Sequence, residues 1–159
     1  MKHHWSIYLD TNVYCRPLDN QNDRRINIEA KAFLEIVTAA ERGNLTIISS
    51  DYVKFEIEQI IDPQKRKDIR GFERALSQIN VTGSKKLTGL ANAFNLESHL
   101  SVIDSLHIAS ACVGKADYFL TCDDQIINSA SRIEKISKLQ GYKLKVRNPV
   151  KYVDQAETK

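Results

Sequence analysis

Ser6-Ile7-Tyr8-Leu9-Asp10-Thr11-Asn12 is the stretch on which the fold turns. A short apolar run rich in strand formers ends abruptly in an aspartate and a polar turn, the pattern of a buried strand with an acid at its carboxyl end. Leu45-Thr46-Ile47-Ile48 and Tyr118-Phe119-Leu120 repeat the pattern of a short buried strand. Helical spacing separates them. Ile26, Ala30, Phe33, Leu34 and Val37 mark one helix, stopped at Gly43-Asn44. Ser49, Ser50 or Asp51 can cap a second helix, which ends before Asp62-Pro63.

The remaining segments extend this alternation. Ile69, Phe72, Leu76 and Ile79 predict a further helix, and Leu87, Leu90, Ala91 and Phe94 a short one. Ser101 to Val113 reads as a helix apolar on nearly all sides, closed by Gly114, and Ile126 to Ile136 as another. Tyr142, Leu144 and Val146 alternate with Lys143, Lys145 and Arg147, which predicts a half-exposed final strand ended by Asn148-Pro149. Strands alternating with helices predict an α/β fold with an open, mostly parallel sheet covered on both faces. Residues 1–150 read as one domain and 151–159 as a polar C-terminal tail.

The chain has 159 residues, 42% hydrophobic and 27% charged, the composition of an ordinary globular domain. No apolar run approaches the roughly 20 residues that span a bilayer, and no signal-peptide pattern opens the chain, so a cytoplasmic location without a membrane partner is expected. Cys15, Cys112 and Cys122 lack the spacing of a zinc site and fit free thiols. A net charge of +3 is compatible with a nucleic-acid partner without requiring one.

Four acids stand out. Asp10 ends the first strand, where ligands gather in open α/β sheets, although aspartate also caps turns routinely. Val53, Ile57, Ile60 and Ile61 define a buried arc on their helix at roughly 100° per residue, and Glu56 falls at its edge. A carboxylate there must be paired, bound to a cation or swung out to solvent. Asp104 is the only Asp, Glu, Lys or Arg between Glu97 and Lys115. A lone carboxylate in an apolar helix needs a compensating cation or hydrogen bonds. Asp123 follows the Tyr118-Phe119-Leu120 strand, with a helix N-cap as its alternative role. Hard divalent cations prefer oxygen ligands, so four acids converging from distant sequence point to a metal or acid–base site. No P-loop, H-E-x-x-H, nucleophile elbow or G-x-G-x-x-G competes.

Tyr8-Leu9-Asp10-Thr11-Asn12, Ser50 with Glu56, Asp104-Ser105-Leu106-His107-Ile108-Ala109 and Asp117-Tyr118-Phe119-Leu120-Thr121-Cys122-Asp123-Asp124 follow one another in this order. In that ordered set the sequence resembles the PIN-domain family, and within it the VapC-like toxin ribonucleases, over roughly Ile7 to Ile127. The resemblance implies a three-layer α/β/α fold and an Mg²⁺- or Mn²⁺-dependent endoribonuclease. It assigns Asp10, Glu56, Asp104 and Asp123 as catalytic, metal-holding acids, with Thr11, Asn12 and Thr121 supporting them. It further implies RNA hydrolysis by a metal-activated water, leaving a 5′-phosphate and a 3′-hydroxyl, a small antitoxin partner and a homodimer. The alternative is a catalytically silent PIN-like protein that binds RNA or acts as a scaffold. A haloacid-dehalogenase-like phosphatase also ends its first strand in an aspartate, but needs a second acid where this chain has Asn12.

Other residues carry weaker expectations. Arg16, in the loop after Asp10, is a candidate phosphate contact, and Lys65, Arg66, Lys67, Arg70 and Arg74 fit a solvated helix face better than an RNA-binding one. Tyr14 could stack on a base, though a place at the core edge is commoner. His107, one helical turn from Asp104, reads as a packed core histidine, and Asp117 as structural.

Overall fold

The computed structural model describes residues 3–157. Its centre is a sheet of five strands, all parallel, in the order β3-β2-β1-β4-β5. These are β1 (Trp5–Leu9), β2 (Leu45–Ser50), β3 (Ser77–Val81), β4 (Tyr118–Leu120) and β5 (Lys145–Arg147). Ile7, Tyr8, Leu9, Ile47, Ile48, Phe119 and Leu120 are fully buried. Parallel strands covered on both faces need apolar side chains in both directions, which explains why these segments read as continuous apolar runs.

Nine helices flank the sheet among the described residues: α1 (Thr11–Cys15), α2 (Arg24–Glu41), α3 (Asp51–Glu58), α4 (Pro63–Leu76), α5 (Lys85–Ser98), α6 (Val102–Val113), α7 (Asp124–Asn128), α8 (Ala130–Leu139) and α9 (Pro149–Glu157). Helix α2 packs with α1, α4 and α9, while α5 packs with α6 and α8, consistent with a three-layer α/β/α arrangement. Side-chain caps set several helix starts: Asp23 for α2, Ser50 for α3, Asp62 for α4, Ser84 for α5 and Ser101 for α6. Strand β1 lies between β2 and β4, so the order of connection reverses beside it. Such a switch point opens a crevice at the carboxyl ends of the strands.

Five expectations change. The helix carrying Ile69 and Phe72 ends at Leu76, and Ile79 belongs instead to β3, an edge strand where it is partly exposed. Helix α3 ends at Glu58, leaving Ile61 93% exposed and outside the buried arc. On α2 the buried face runs through Ala30, Phe33 and Ile36, and Leu34 points to solvent. The predicted helix from Ile126 to Ile136 is broken at Ser129 into α7 and α8. Residues 151–157 of the polar C-terminal tail form part of a helix, α9, which begins on Pro149 and packs on α2. Its Tyr152 is buried, with its ring 5.0 Å from that of Tyr118. Thr158 and Lys159 lie outside the described residues.

Candidate metal centre

The turn after β1 is held by the side chains it contains. Asp10 caps α1, its Oδ1 accepting from the Thr11 backbone N–H at 2.8 Å. Its Oδ2 accepts from the Thr121 hydroxyl at 2.8 Å and from Asn12 Nδ2 at 3.2 Å. Asn12 also ties the turn to the end of β4, donating to Thr121 Oγ1 at 3.2 Å and accepting from the Cys122 backbone N–H at 3.0 Å. The Asp10 backbone N–H donates to the Leu120 carbonyl at 2.9 Å. The ends of β1 and β4 are thus locked side by side.

Glu56 reaches this turn from α3. Its Oε1 accepts from the Thr11 hydroxyl at 2.9 Å and from His107 Nε2 on α6. His107 is 1% exposed, and its Nε2 lies 4.0 Å from Asp10 Oδ1. One ligand atom from each of Asp10, Glu56 and His107 lies within 4.8 Å of the other two. Asp104 and Asp123 are outside that tightest trio but belong to the same field. Asp104 stands in the first turn of α6, half-buried, and the charges of Asp123 and Glu56 act on it. Asp123 caps α7 through the Gln125 N–H and follows Thr121, whose hydroxyl accepts from the Asp123 N–H at 3.1 Å. Asp123 thus takes the cap role, and its charge reaches Asp104.

Electrostatics follow from this crowding. Burial pushes Asp10 above its ordinary value, against the pull of the His107 charge and the Thr121 hydrogen bond, and the charges of Glu56 and Asp104 add to the rise. Burial likewise raises Asp104, the Ser101 hydroxyl opposes it, and the charge of Asp123 reinforces it. For Glu56, burial raises the pKa, but the hydrogen bond and charge of His107, with the Thr11 hydroxyl, outweigh it and hold Glu56 below its ordinary value. Desolvation lowers His107, and Glu56 and Asp10 more than reverse that.

Among the described residues, no lysine or arginine forms an ion pair with Asp10, Glu56, Asp104 or Asp123. Elsewhere the buried acids have such partners. Glu29 meets Arg25 at 2.6 Å and Arg16 at 3.5 Å, and Glu73 meets Lys54 at 2.5 Å. Asp10 and Glu56, with the charge of Asp104 acting in the same field, offer carboxylate oxygens of the kind a hard divalent cation takes, and the hydrogen bonds to Asp10 supply the orienting contacts that ligating carboxylates need. These residues could hold a divalent cation.

Other sequence candidates are placed differently. Arg16 is engaged by Asp19 at 2.9 Å and by Glu29, with no contact to the four acids. Lys65 pairs with Asp19 at 2.7 Å, Arg70 with Glu58 at 2.7 Å, and Arg66 donates to the Ile60 carbonyl at 2.8 Å. Tyr14 is fully buried against Phe33, so its ring cannot stack on a base. Asp117 accepts from the Ser6 N–H at 2.8 Å, a structural role. His107 is packed as expected, yet it also joins the acid cluster. Its one-turn spacing from Asp104 is the only sequence signal for that. No family model matches the chain, and no curated protein matches it in sequence.

Proposed function

We propose that this chain is an Mg²⁺- or Mn²⁺-dependent endoribonuclease of the PIN type, acting as the toxin of a toxin–antitoxin pair. The observation that carries the reading is the acid group beside the switch point between β1 and β4, with which no lysine or arginine among the described residues forms an ion pair. Burying Asp10 is costly, His107 offsets that cost only in part, and a bound cation would relieve the rest. The order of the matching sequence segments adds the reaction type. RNA as substrate, an antitoxin and a homodimer rest on the resemblance. No helix among the described residues is long and apolar enough to cross a membrane.

Asp10, Glu56, Asp104 and Asp123 would hold the metal, which when bound lowers the pKa of a water and neutralises charge on the scissile phosphate. Thr11, Asn12 and Thr121 fix the Asp10 carboxylate through three hydrogen bonds, so its orientation does not depend on substrate. No protein nucleophile is needed when water attacks the phosphorus.

Asp104→Asn tests this. The amide keeps the size of the side chain and removes its charge. Metal-dependent cleavage of single-stranded RNA should fall by about 100-fold or more while RNA binding by filter retention survives. Undiminished cleavage by the variant would refute the assignment.

A further inference from the structure

We propose that Tyr8 and His107 form a positioning pair that holds the Glu56 carboxylate beside Asp10, an inference that rests on the metal-centre reading above. Tyr8 lies on β1, two residues before Asp10, and is fully buried with its ring stacked on Phe119 at 5.4 Å. Its hydroxyl sits 2.7 Å from His107 Nδ1 and 2.6 Å from Ser50 Oγ. Ser50 in turn accepts from the backbone N–H groups of Tyr52 and Val53 and so caps α3, the helix that carries Glu56. His107 Nε2 completes the circuit by donating to Glu56 Oε1.

The circuit links four elements, β1, β2, α3 and α6, through side chains that are buried except at the Glu56 end. One Tyr8 hydroxyl holds the start of α3 through Ser50 and the middle of that helix through His107. A carboxylate only accepts, so Nε2 carries the hydrogen of the His107–Glu56 bond. Tyr8 serves Nδ1 as either donor or acceptor, and the arrangement survives in both states of the ring. Both anchors of Glu56, Thr11 Oγ1 and His107 Nε2, fall on Oε1. Among the described residues nothing bonds Oε2, which is left for a ligand. An unrestrained glutamate would have to freeze its side-chain torsions on binding a metal, at a cost in affinity. Orienting partners behind a ligand are commonly worth about 10- to 100-fold in metal affinity.

The test is a Mn²⁺ titration followed by electron paramagnetic resonance on the full-length chain. Three variants are compared with the wild type: Tyr8→Phe, His107→Asn and His107→Gln. Glutamine can place an amide N–H near the position of Nε2, whereas asparagine places it near that of Nδ1. Tyr8→Phe and His107→Asn should weaken Mn²⁺ binding about tenfold or more, and His107→Gln should retain most of it. A role confined to packing would not rank the two amides this way. Wild-type affinity in both Tyr8→Phe and His107→Asn would overturn the proposal and leave the ribonuclease reading standing.

A second readout needs neither metal nor variant. In metal-free wild-type protein the His107 Nε2–H should give an imidazole resonance protected from solvent exchange, observed by ¹⁵N-edited NMR. If the wild type bound no Mn²⁺, the ribonuclease reading would fail, and this resonance would decide the circuit by itself. A ring N–H exchanging as fast as that of a surface histidine would overturn the proposal.

Discussion

Glu29, Glu73 and Asp10 are about equally buried, yet only the first two meet an arginine or a lysine. Asp10 relies instead on hydrogen bonds and on the imidazole of His107. Thr121 is the most exacting of its partners, being fully buried and bonded to Asp10, Asn12 and the Asp123 N–H. Thr121→Val keeps the shape and leaves those groups short of a partner. It should cost about 1–3 kcal/mol in urea unfolding, and a loss near zero would show that water replaces the hydroxyl at no cost. The His107–Glu56 pair predicts a pH signature. His107 is raised above its ordinary 6.5, so its share of stability is full below that value and is lost as pH rises through the folded-state pKa. Glu56 is lowered from its ordinary 4.5, so its share is present above that value and is lost as pH falls through the folded-state pKa. The coupling energy from a double-mutant cycle of His107→Gln and Glu56→Gln should therefore peak between about pH 4.5 and 6.5 in metal-free protein. A coupling energy flat across pH would remove the charge from that interaction.

At the scale of elements, Gly114 illustrates what a sequence conceals. It reads as a helix stop, and it does close α6, but its φ of −72° suits any residue. Space makes glycine necessary: a Cβ there would lie 2.9 Å from Val81 Cγ2 and 3.0 Å from Ile48 Cγ2, where α6 meets β2 and β3. Gly114→Ala should destabilise the fold by about 1–3 kcal/mol in denaturant melts, whereas a neutral result would mean that the two methyl groups yield freely. Strands β1, β2 and β4 are legible in sequence because burial on both faces leaves continuous apolar runs. Strand β3 is not. At the sheet edge Gln78, Ile79 and Asn80 stay exposed, and Ile79 continues the helical spacing of Ile69, Phe72 and Leu76 by chance. Tyr152 likewise sits in a polar stretch whose amphipathic face shows only once α2 lies beneath it. In the site, Asp10 and Asp104 are legible from a strand end and from the rarity of charge in an apolar helix. The role of His107 is hidden because its partners Tyr8 and Glu56 lie 99 and 51 residues away.

For the whole molecule, the net charge of +3 coexists with a local group of acids in which Asp10, at the end of β1, meets Glu56 from α3 and His107 from α6. Ion pairs such as Arg25–Asp124, Lys65–Asp19 and Arg147–Glu134 serve other acids, and among the described residues no lysine or arginine pairs with Asp10, Glu56, Asp104 or Asp123. A ligand that binds only the folded state stabilises it in proportion to the logarithm of its concentration over Kd. Thermal melting with increasing Mn²⁺, run on the wild type and on Glu56→Gln, therefore tests the metal centre most directly. At about a hundred times Kd, the wild type should gain about 2.7 kcal/mol, roughly 5–10 °C in Tm, and Glu56→Gln should gain far less. No rise in the wild type, or an equal rise in both proteins, would contradict a metal held by these acids.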